Sequence, residues 1–497
     1  MPDATIEEIS RSGIQKNRLY ASENINPIVK QIVVLCKMRL CSPALIGSGE
    51  NINSDRDVYI CTDGSPLLPG SSIAGILRNT LCIDDANMLF GKLIDRNEDK
   101  AGMSPLWVYD SPLFQKDSEM AAEIITIDNV SLDENRRNAP DMEYRSLAHL
   151  DHMNKTAADT GKFDFQAVER DSRFDLRLKL IVRANDAPAP APTAAHVPPT
   201  ISPDSSIQQP THISNLETIF NNLLGKLNTL YVGGKTSRGF GKLKCSAIYK
   251  RVFNSTPNDL DEWLKFKWPD LESSAYKQPL PIPQNYASIE AALNLDSTLL
   301  IRDDYSILED EDSAHITSAD IPVIYGTSWV GAIRGGLARF LKTHGYNNCE
   351  DYLDKVFGNA KFDATNGNAQ TEPSMLRVDA SYFGEDETCD NRHCVTRVKI
   401  DRWTGGAVDT ALFTTRPQFG GNVILTIHYP EGDAAIRELL ILALQAIDLG
   451  IITIGGETSI GRGLFRVTEI YIDGVKQTDI NALYNTPKGA LGLCLNT

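Results

Sequence analysis

The sequence predicts an α+β protein built from two tandem ferredoxin-like domains. Apolar segments with the two-residue period of strands alternate in both halves with segments of helical period. Three motifs occur twice, in the same order, at matching places in the two halves. The chain has 497 residues, which is enough for domains that each bury a hydrophobic core.

Composition indicates a folded cytoplasmic protein. Hydrophobic residues make up 42% of the chain and charged residues 23%, as in ordinary globular proteins. The sequence has no uninterrupted apolar run of about twenty residues, so we expect no membrane span. The nine cysteines lack a disulfide spacing, which fits a reducing compartment. The net charge of −16 argues against a broadly basic surface but is compatible with a local basic groove.

The first repeated motif opens a helix. Residues 69–78 return as residues 325–334, and each copy has a glycine, hydroxyl residues that suit an N-cap, and apolar positions at helical spacing. Arg78 and Arg334 follow about two turns later. The N-terminus of such a helix presents free N–H groups to an anion. The alternative is an ordinary helix start.

The second and third motifs fix the domain boundaries. Five residues between 151 and 163 recur 250 residues later, for example Asp151 as Asp401. The Gly-rich loop at 233–241 recurs only 222 residues later, at 455–463. The first half therefore contains extra residues, and a Pro-, Ala- and Ser-rich segment at 187–214 accounts for them as a flexible insertion.

The repeats predict five segments: an N-terminal extension at 1–27, a first domain at 28–250, an interdomain linker at 251–286, a second domain at 287–475 and a C-terminal tail at 476–497. Within the domains we expect strands at 28–35, 104–111, 174–182 and 422–429, and helices at 215–231 and 434–449.

The Gly-rich loops are not nucleotide-binding P-loops. Gly234, Lys235 and Thr236 imitate the end of a Walker A motif, but Thr229 stands where that motif needs a glycine. The second loop has Glu457 in place of Lys235, so the two loops share no phosphate-binding lysine. The remaining alternatives are close backbone approach to a partner and a tight turn before an edge strand.

Together the motifs resemble those of RAMP proteins. The residues that carry the resemblance are the Thr-Ser-Arg-Gly-Phe-Gly-Lys run from Thr236, the Pro-Gly-Ser-Ser helix start from Pro69, and the Trp-Thr-Gly-Gly segment within 399–413. More narrowly they are similar to Cas-seven-type backbone subunits of type III CRISPR effector complexes, and the tandem arrangement is similar to a fused III-D-like subunit. The resemblance covers roughly residues 28–250 and 287–475.

The resemblance implies a modified RNA-recognition-motif fold that binds CRISPR RNA (crRNA). The helix starts and Gly-rich loops would contact guide phosphates, which makes the expected RNA-binding residues Gly70, Ser71, Ser72, Arg78, Lys235, Thr236, Ser237, Arg238, Gly326, Thr327, Ser328, Arg334, Thr458, Ser459 and Arg462. The implied partners are crRNA, complementary target RNA and other Cas subunits, with no membrane.

The resemblance also implies thumb-like insertions that wedge into the guide–target duplex. The first thumb would use Met153, Lys155 and Thr156, and it lacks the Trp-Thr-Gly-Gly core. The second would use Arg402, Trp403 and Thr404. An apolar wedge such as Met153 or Trp403 could unstack one base step. The alternative for either side chain is core packing.

Family members with RNase activity use an aspartate in the loop before the helix start, together with a divalent metal. Counting back from residue 69 predicts Asp57 as the catalytic carboxylate, with Asp55 taking its place after a small register shift and Asp63 a further alternative. The same count reaches Ala314 in the second half. Asp312 is therefore the predicted second catalytic residue, with Asp320 as its alternative. We expect Mg²⁺ at these carboxylates.

Three further possibilities come from the residues. Cys389, His393 and Cys394 lie close together in the sequence, so they could bind a structural zinc ion or be free of metal. A non-catalytic crRNA-binding scaffold remains an alternative to the endoribonuclease. So does a guide-processing endoribonuclease, for which His315 is the histidine nearest the second helix start.

Overall fold

A computed structural model of the chain describes residues 27–49, 54–91, 104–114, 142–150, 157–184, 211–280, 287–303, 311–346, 348–362, 369–384, 393–486 and 488–496. It is a mixed α+β structure with several antiparallel sheets. Among the helices of these residues, none is both long enough and apolar enough to span a membrane.

The first half and the connector after it contain nine strands and four α-helices among the described residues. The strands are β1 (Ile28–Leu40), β2 (Leu67–Leu68), β3 (Leu106–Val108), β4 (Ser111–Pro112), β5 (Met142–Leu150), β6 (Ala157–Val168), β7 (Arg173–Arg183), β8 (Leu243–Asn254) and β9 (Lys277–Gln278). The helices are α1 (Gly70–Asn79), α2 (Ile83–Phe90), α3 (Thr211–Gly225) and α4 (Pro257–Lys265).

The second half follows the same order. Its strands are β10 (Ser288–Leu295), β11 (Thr298–Leu299), β12 (Arg302–Asp303), β13 (Ser313–His315), β14 (Thr317–Ser318), β15 (Ile321–Ile324), β16 (Asn359–Phe362), β17 (Ala369–Glu372), β18 (Arg377–Val378), β19 (Ser381–Tyr382), β20 (Val395–Ile400), β21 (Ala407–Arg416), β22 (Gln418–Phe419), β23 (Asn422–His428), β24 (Phe465–Ile472) and β25 (Val475–Lys476). Its helices are α5 (Gly326–Thr343), α6 (Cys349–Phe357), α7 (Ala434–Asp448), α8 (Ile480–Asn485) and α9 (Gly489–Asn496).

Each half is organised around one five-stranded antiparallel sheet. The strand orders are β3-β7-β1-β8-β9 and β18-β23-β10-β24-β25, so the first long strand of each half is central. Burial alternates along these strands, as period-two apolar sequences require. In the first half Val34, Leu178 and Phe220 are fully buried, which places helix α3 over one face of the sheet.

The connector covers the other face of the first sheet. Val33 and Leu35 on that face pack with Phe253 and Leu271, and the connector residue Trp263 lies against this cluster. Trp263 makes an edge-to-face contact with Phe253 at 5.4 Å between ring centroids. The part of the predicted linker that the structure describes, 251–280, is thus a folded cover. The sheet of the second half is less completely covered, since Ile424 on its strand β23 is 60% exposed.

Most of the predicted elements are present, with different ends. The strands predicted at 174–182 and 422–429 and the helix predicted at 434–449 match β7, β23 and α7. The helix predicted at 215–231 instead begins at Thr211 and ends at Gly225, because residues 227–229 form a 3₁₀ turn that leads into the Gly-rich loop. Residues 211–214 of the predicted insertion are therefore helical. The predicted tail contains α8 and α9, and α9 packs against α7.

The predicted N-cap role of the hydroxyl residues is wrong. The N-caps of α1 and α5 are Pro69 and Tyr325, both with extended backbone and neither with a side-chain cap. In the first half the carboxylate of Asp110 does the capping, because its Oδ1 accepts a hydrogen bond from the Gly70 N–H at 2.6 Å. The hydroxyl residues lie within the first helical turn.

An aromatic contact joins the two halves. Phe240, at the end of the first Gly-rich loop, stacks on Tyr325 at the start of α5 with 5.0 Å between ring centroids. Phe165 of β6 meets Phe240 edge to face at 5.7 Å. These rings are almost fully buried together with Leu45 and Val323. The cluster therefore gives the halves a shared hydrophobic core.

A buried polar network reinforces this contact. Arg145 of β5 lies 2.6 Å from Glu169 and 3.4 Å from Asp303 of the second half. The other carboxylate oxygen of Glu169 accepts a hydrogen bond from the Ser318 hydroxyl at 2.6 Å. All four side chains are buried. Removing the Arg145 side chain would take away the positive charge beside both buried carboxylates, at a cost of about 3–5 kcal/mol.

Gly239 of the first loop should tolerate no side chain. Its φ is +82°, and an added Cβ would lie 2.6 Å from the carbonyl oxygen of Val378 across the interface. Gly461, its counterpart in the second loop, has φ +90° and no atom within 4 Å of an added Cβ. In both alanine variants the left-handed backbone conformation lowers the free energy of unfolding by about 1–2 kcal/mol. Only Gly239→Ala also disrupts the interface.

We therefore expect Gly239→Ala to lower the free energy of unfolding by about 1–3 kcal/mol more than Gly461→Ala does, because overpacking adds to the backbone cost. Urea unfolding of the two full-length variants measures the difference. Equal losses in both variants would contradict the interface that the structure describes.

Candidate nucleic-acid interface

The two helix starts present different surfaces. Ser71 and Ser72 are exposed at the start of α1, whereas Thr327 and Ser328 of α5 are only half-exposed. The start of α5 is covered by the first Gly-rich loop, since an added Cβ on Gly326 would lie 2.4 Å from the Arg238 carbonyl oxygen. The hydroxyl residues are therefore more accessible at the first helix start, where the Asp110 carboxylate already accepts a hydrogen bond from the Gly70 N–H.

Arg78 and Arg334 are engaged within their own halves. The Arg78 guanidinium donates to the Gly91 carbonyl oxygen at 2.8 Å and to the Asn87 side chain. Arg334 forms a close ion pair with Asp354 in the following helix. Each arginine thus ties the opening helix to the next one. A phosphate contact by either remains a prediction that would compete with these bonds.

The first Gly-rich loop is part of the interface between the halves. Thr236, Ser237 and Arg238 form a 3₁₀ turn between two left-handed residues, Lys235 and Gly239. The Arg238 guanidinium donates to the Phe357 carbonyl oxygen at 2.8 Å in the second half. Burial, with the charge of Arg334, lowers the pKa of Arg238.

Lys235 lies on an aromatic surface beside this turn. Its Nζ is 4.1 Å from the ring centre of Phe163 and 5.3 Å from that of Phe165, which is cation–π geometry. Burial, with the charges of Arg56 and Arg238, lowers the pKa of Lys235 to about 8. The lysine is still mostly protonated at pH 7, and a phosphate nearby would favour the charged form further.

The second Gly-rich loop has the same backbone but different neighbours. Thr458, Ser459 and Ile460 form the equivalent 3₁₀ turn, preceded by Glu457 with φ +55°. Ser459 and Ile460 are exposed. Arg462 is buried and donates to the Thr415 hydroxyl at 3.1 Å. This loop is the exposed counterpart of the one that joins the halves.

Asp57, the predicted catalytic residue, is buried. It is 7% exposed, and its Oδ1 accepts a hydrogen bond from the Ser54 hydroxyl at 2.7 Å. Its counterpart in the second half is Ala314. Strand pairing shows this, because Val58, the residue after Asp57, pairs with Gly47, and His315, the residue after Ala314, pairs with Arg302. A carboxylate at this position is therefore neither exposed nor repeated.

Asp55 and Asp312 occupy equivalent exposed positions. The Oδ2 of Asp55 accepts a hydrogen bond from the backbone N–H of Asp164 at 3.0 Å, and the Oδ2 of Asp312 accepts one from that of Thr414 at 2.7 Å. Asp164 and Thr414 are the same position in β6 and β21, which begin at Ala157 and Ala407. The two halves thus attach a carboxylate to the same point of the thumb strand.

The remaining predicted aspartates have local roles. Asp63 accepts hydrogen bonds from the N–H and the hydroxyl of Ser65, at 2.9 and 2.6 Å. Asp320 is exposed in the turn between β14 and β15, with φ +62°. Neither is attached to a thumb strand by the contacts described. The pair formed by Asp55 and Asp312 is the one that the repeat preserves.

Each predicted thumb is a β-hairpin. The second consists of β20 and β21, and its tip exposes Arg402, Trp403 and Thr404, with Trp403 95% exposed. Asp401 holds the turn: its Oδ1 accepts hydrogen bonds from the backbone of Thr404 and Trp403, and these bonds lower the pKa of the carboxyl. The first hairpin consists of β5 and β6. Its tip, with Met153, Lys155 and Thr156, lies outside the described residues.

No preformed metal cluster is present in the part of the chain that the structure describes, where no three His, Cys, Asp or Glu side chains converge. Exposed single carboxylates such as Asp55 and Asp312 still suit Mg²⁺, which binds through one or two carboxylates together with waters and substrate phosphates. For zinc, Cys389 lies outside the described residues, and the Sγ of Cys394 contacts Glu311 Oε1 at 3.2 Å. The zinc site remains a prediction.

Comparison with known families agrees with the repeat. A model of the RAMP superfamily matches residues 37–244 and 293–466, which is more than half of the chain. The protein therefore belongs to the RAMP superfamily, and the two matched regions are consistent with a tandem RAMP. RAMP proteins generally work with crRNA and other Cas subunits, so membership indicates a CRISPR-associated RNA-binding subunit. No curated protein matches the sequence.

Asp379 connects the second sheet to the first Gly-rich loop region. Its carboxylate accepts hydrogen bonds from the Tyr231 hydroxyl and from Lys242 Nζ, both at 2.7 Å, and lies 3.4 Å from His428. Burial alone would raise the pKa of Asp379, but the hydrogen bonds and charges of His428 and Lys242 outweigh it. The pKa therefore lies well below its usual range.

The depressed pKa predicts a pH-dependent contribution to stability. The carboxylate is charged in the native state above its unfolded pKa of about 3.9, so its stabilisation is complete above about pH 5 and is lost as the pH falls towards the folded pKa. We expect Asp379→Asn to lower the free energy of unfolding by about 1–3 kcal/mol at pH 7.

Denaturant unfolding of wild type and variant between pH 7 and pH 3 tests this expectation, and the gap between them should narrow with acid. Asp296→Asn removes an exposed ion pair with Arg466 and serves as the matched control, with an expected loss below about 1 kcal/mol. A gap that is constant with pH would refute the electrostatic role of Asp379.

Proposed function

We propose that this protein is a Cas-seven-type backbone subunit of a type III, III-D-like CRISPR effector complex. It would bind crRNA along both halves and cleave paired target RNA at two metal-dependent sites. The observation that carries the proposal is the pair of aspartates held at one position of each thumb hairpin. Family membership supplies the RNA-binding context, and the repeated geometry supplies the sites.

We also class each half as a ferredoxin-like unit of the modified RNA-recognition-motif type. The strand order of each sheet supports this assignment, since the central strand lies between the two long strands that come later in the same sheet, β7 and β8 in the first half and β23 and β24 in the second. In the first half the connector occupies the sheet face away from helix α3. RNA is therefore expected at the loop ends and thumbs, where the helix starts, Gly-rich loops and exposed carboxylates lie.

The thumb tip would act as a wedge in the duplex. Trp403 has almost its whole indole ring in solvent, and Val398, Ile400 and Leu412 on the hairpin are also exposed. Exposed apolar side chains on a projecting hairpin stack well on bases, because every base has an apolar face. The turn held by Asp401 keeps the tip in one shape before RNA arrives.

The chemistry would be attack of the target's own 2′-oxygen on the adjacent phosphorus, which breaks the bond between the phosphorus and the 5′-oxygen. The 2′-hydroxyl loses its proton to water and the departing 5′-oxygen takes one up, leaving a cyclic phosphate and a 5′-hydroxyl. Bound Mg²⁺ would supply charge stabilisation at the phosphate. Asp55 and Asp312 would hold the ion or its water. Both carboxylates are exposed, and each accepts one backbone hydrogen bond from the thumb strand, which connects it to the hairpin that would carry the wedge.

This assignment moves the expected site from Asp57 to Asp55. The buried carboxylate of Asp57 shapes the loop through Ser54, and the second half has Ala314 at the same place. Asp55 is exposed and has a counterpart in Asp312, and both properties favour Asp55 over Asp57. For the second half, Asp312 is unchanged from the sequence prediction.

One alternative keeps a specific observation in its favour. A non-catalytic crRNA-binding scaffold fits the lack of converging metal ligands among the described residues. The guide-processing alternative is less well supported, because His315 is only 6% exposed and burial lowers its pKa to about 3. Its Nδ1 accepts a hydrogen bond from the Ile301 N–H at 3.1 Å, which leaves this histidine away from solvent.

The test is a cleavage map. The full-length chain, assembled with guide RNA, is incubated with end-labelled complementary RNA and Mg²⁺. We expect Asp55→Asn to remove one cut and Asp312→Asn another, each with a rate loss of roughly two orders of magnitude or more, because charge at the reacting phosphate is no longer stabilised. Binding of the target should persist in both variants.

Asp57→Asn is the matched control, because it makes the same replacement of a carboxylate by an amide in the same loop. It should lower stability while leaving both cuts in place. Loss of a cut in Asp57→Asn with normal cutting in Asp55→Asn would return the assignment to Asp57. Target binding without any cut by the wild-type protein would support the scaffold alternative. Cuts that persist in every variant would place the catalytic residues elsewhere in the chain.

The wedge makes a separate prediction. Trp403→Ala should weaken binding of the guide-paired target by about 1–3 kcal/mol, the usual value of one base–aromatic stack. Filter binding with a labelled target measures the change. Trp107→Ala is the control, since Trp107 is 40% exposed on the first sheet and lies outside the thumb. Equal effects of the two substitutions would exclude a wedge role for Trp403.

A further inference from the structure

The second Gly-rich loop holds one carboxylate among three arginines. Glu457 Oε2 lies 2.6 Å from Arg397 Nη2 and 3.3 Å from Arg462 Nε, and its Oε1 lies 3.4 Å from Arg302 Nη2. The arginines come from the thumb strand β20, the end of the loop and strand β12. Three positive charges thus surround one negative charge.

The arginines are incompletely satisfied by the protein. The side chain of Arg462 is 5% exposed, and its Nη1 has no hydrogen-bond partner among the described residues. The Nε of Arg397 is likewise buried without an acceptor there. Buried donors without acceptors cost free energy, so a further anion would stabilise this site. Guanidinium groups in a fork geometry suit a phosphate with two free oxygens.

The first loop is built differently at the same positions. Lys235 stands where Glu457 stands, with nearly the same backbone angle, φ +57° against +55°. Phe240 stands where Arg462 stands, and it is buried against Tyr325. The first loop thus uses this position to join the halves. The second loop keeps the same backbone and replaces the aromatic residue with a cation, a change that interdomain packing does not require.

We propose that Arg302, Arg397 and Arg462 form a phosphate-binding site for the RNA backbone, in which Glu457 occupies the place of a phosphodiester when RNA is absent. This inference rests on the proposed function for the identity of the anion. RNA is the source favoured because Arg397 belongs to the thumb hairpin. Glu457 then competes with RNA for the three arginines, so a phosphate must either displace the Glu457 carboxylate or bind the arginines beside it.

The decisive variant is Glu457→Gln, which removes the competing charge and keeps the shape of the side chain. RNA affinity at low salt should rise by roughly five- to tenfold, as expected for removing one nearby like charge from a phosphate contact. The dependence of log affinity on log salt should steepen by about one phosphate contact. Adding Arg397→Gln to Glu457→Gln should abolish the gain.

Glu262→Gln is the matched control, because Glu262 pairs with Arg251 in the connector and its loss changes net charge equally. It should leave RNA affinity unchanged. Arg302→Gln provides a second variant in case Glu457→Gln unfolds, since Arg302 is 60% exposed. It should weaken RNA binding severalfold. Equal RNA affinities in wild type, Glu457→Gln and Arg302→Gln would overturn the site.

Titration with tripolyphosphate separates this site from the proposed function. Arginine-dependent tripolyphosphate binding in a protein that fails to bind RNA would support the site and overturn the RNA-binding function. RNA binding that is insensitive to these variants, without tripolyphosphate binding, would keep the function and overturn the site. Loss of both activities would overturn both.

Discussion

The stacking of Phe240 on Tyr325 is the contact on which the remaining geometry depends. It brings the end of the first Gly-rich loop onto the start of the second opening helix, and Phe165 extends it to the base of the first thumb. Arg145 on the same thumb reaches Asp303 in the second half. The first hairpin and the second half are therefore packed into one structure, and we expect the two halves to offer one continuous edge to RNA.

The two halves repeat the same order of motifs and the same sheet topology, but the side chains at matching positions make different contacts. The first Gly-rich loop is part of the interface between the halves, where Gly239 and Arg238 pack against the second half. The second loop exposes Ser459 and Ile460, and its Glu457 lies among Arg462 of the same loop and Arg302 and Arg397 of neighbouring strands. The aspartates attached to the thumb strands are unchanged in position. Conserved geometry at these two points, within otherwise different surroundings, favours a shared role in acting on RNA.

The sequence predicts the local elements well, because strand and helix periods are properties of neighbouring residues. Strand β7, strand β23 and helix α7 lie where periodicity places them. The repeat likewise predicts two halves, in agreement with the two regions matched by the RAMP model. The cap of the first opening helix was not predictable, since Asp110 supplies it from 40 positions further along the chain.

The details of the site depend on contacts between distant residues, which a single sequence does not display. Asp55 and Asp57 lie two residues apart, and strand pairing with Gly47 decides which carboxylate is buried. Arg78 satisfies the basic pattern expected of a phosphate ligand, yet it bonds Gly91 and Asn87. The signal that could have found Asp55 was the repeat itself, because Asp312 is its counterpart and Ala314 is the counterpart of Asp57.

The most direct test of a continuous RNA-binding edge is photocrosslinking of the full-length chain to guide RNA that carries 4-thiouridine at successive positions. Mass spectrometry then locates the crosslinked residues. The account predicts crosslinks in both halves, at the second thumb tip around Trp403, at the second Gly-rich loop and at the open start of helix α1. Crosslinks confined to one half, or found only on the connector that covers the first sheet, would contradict it.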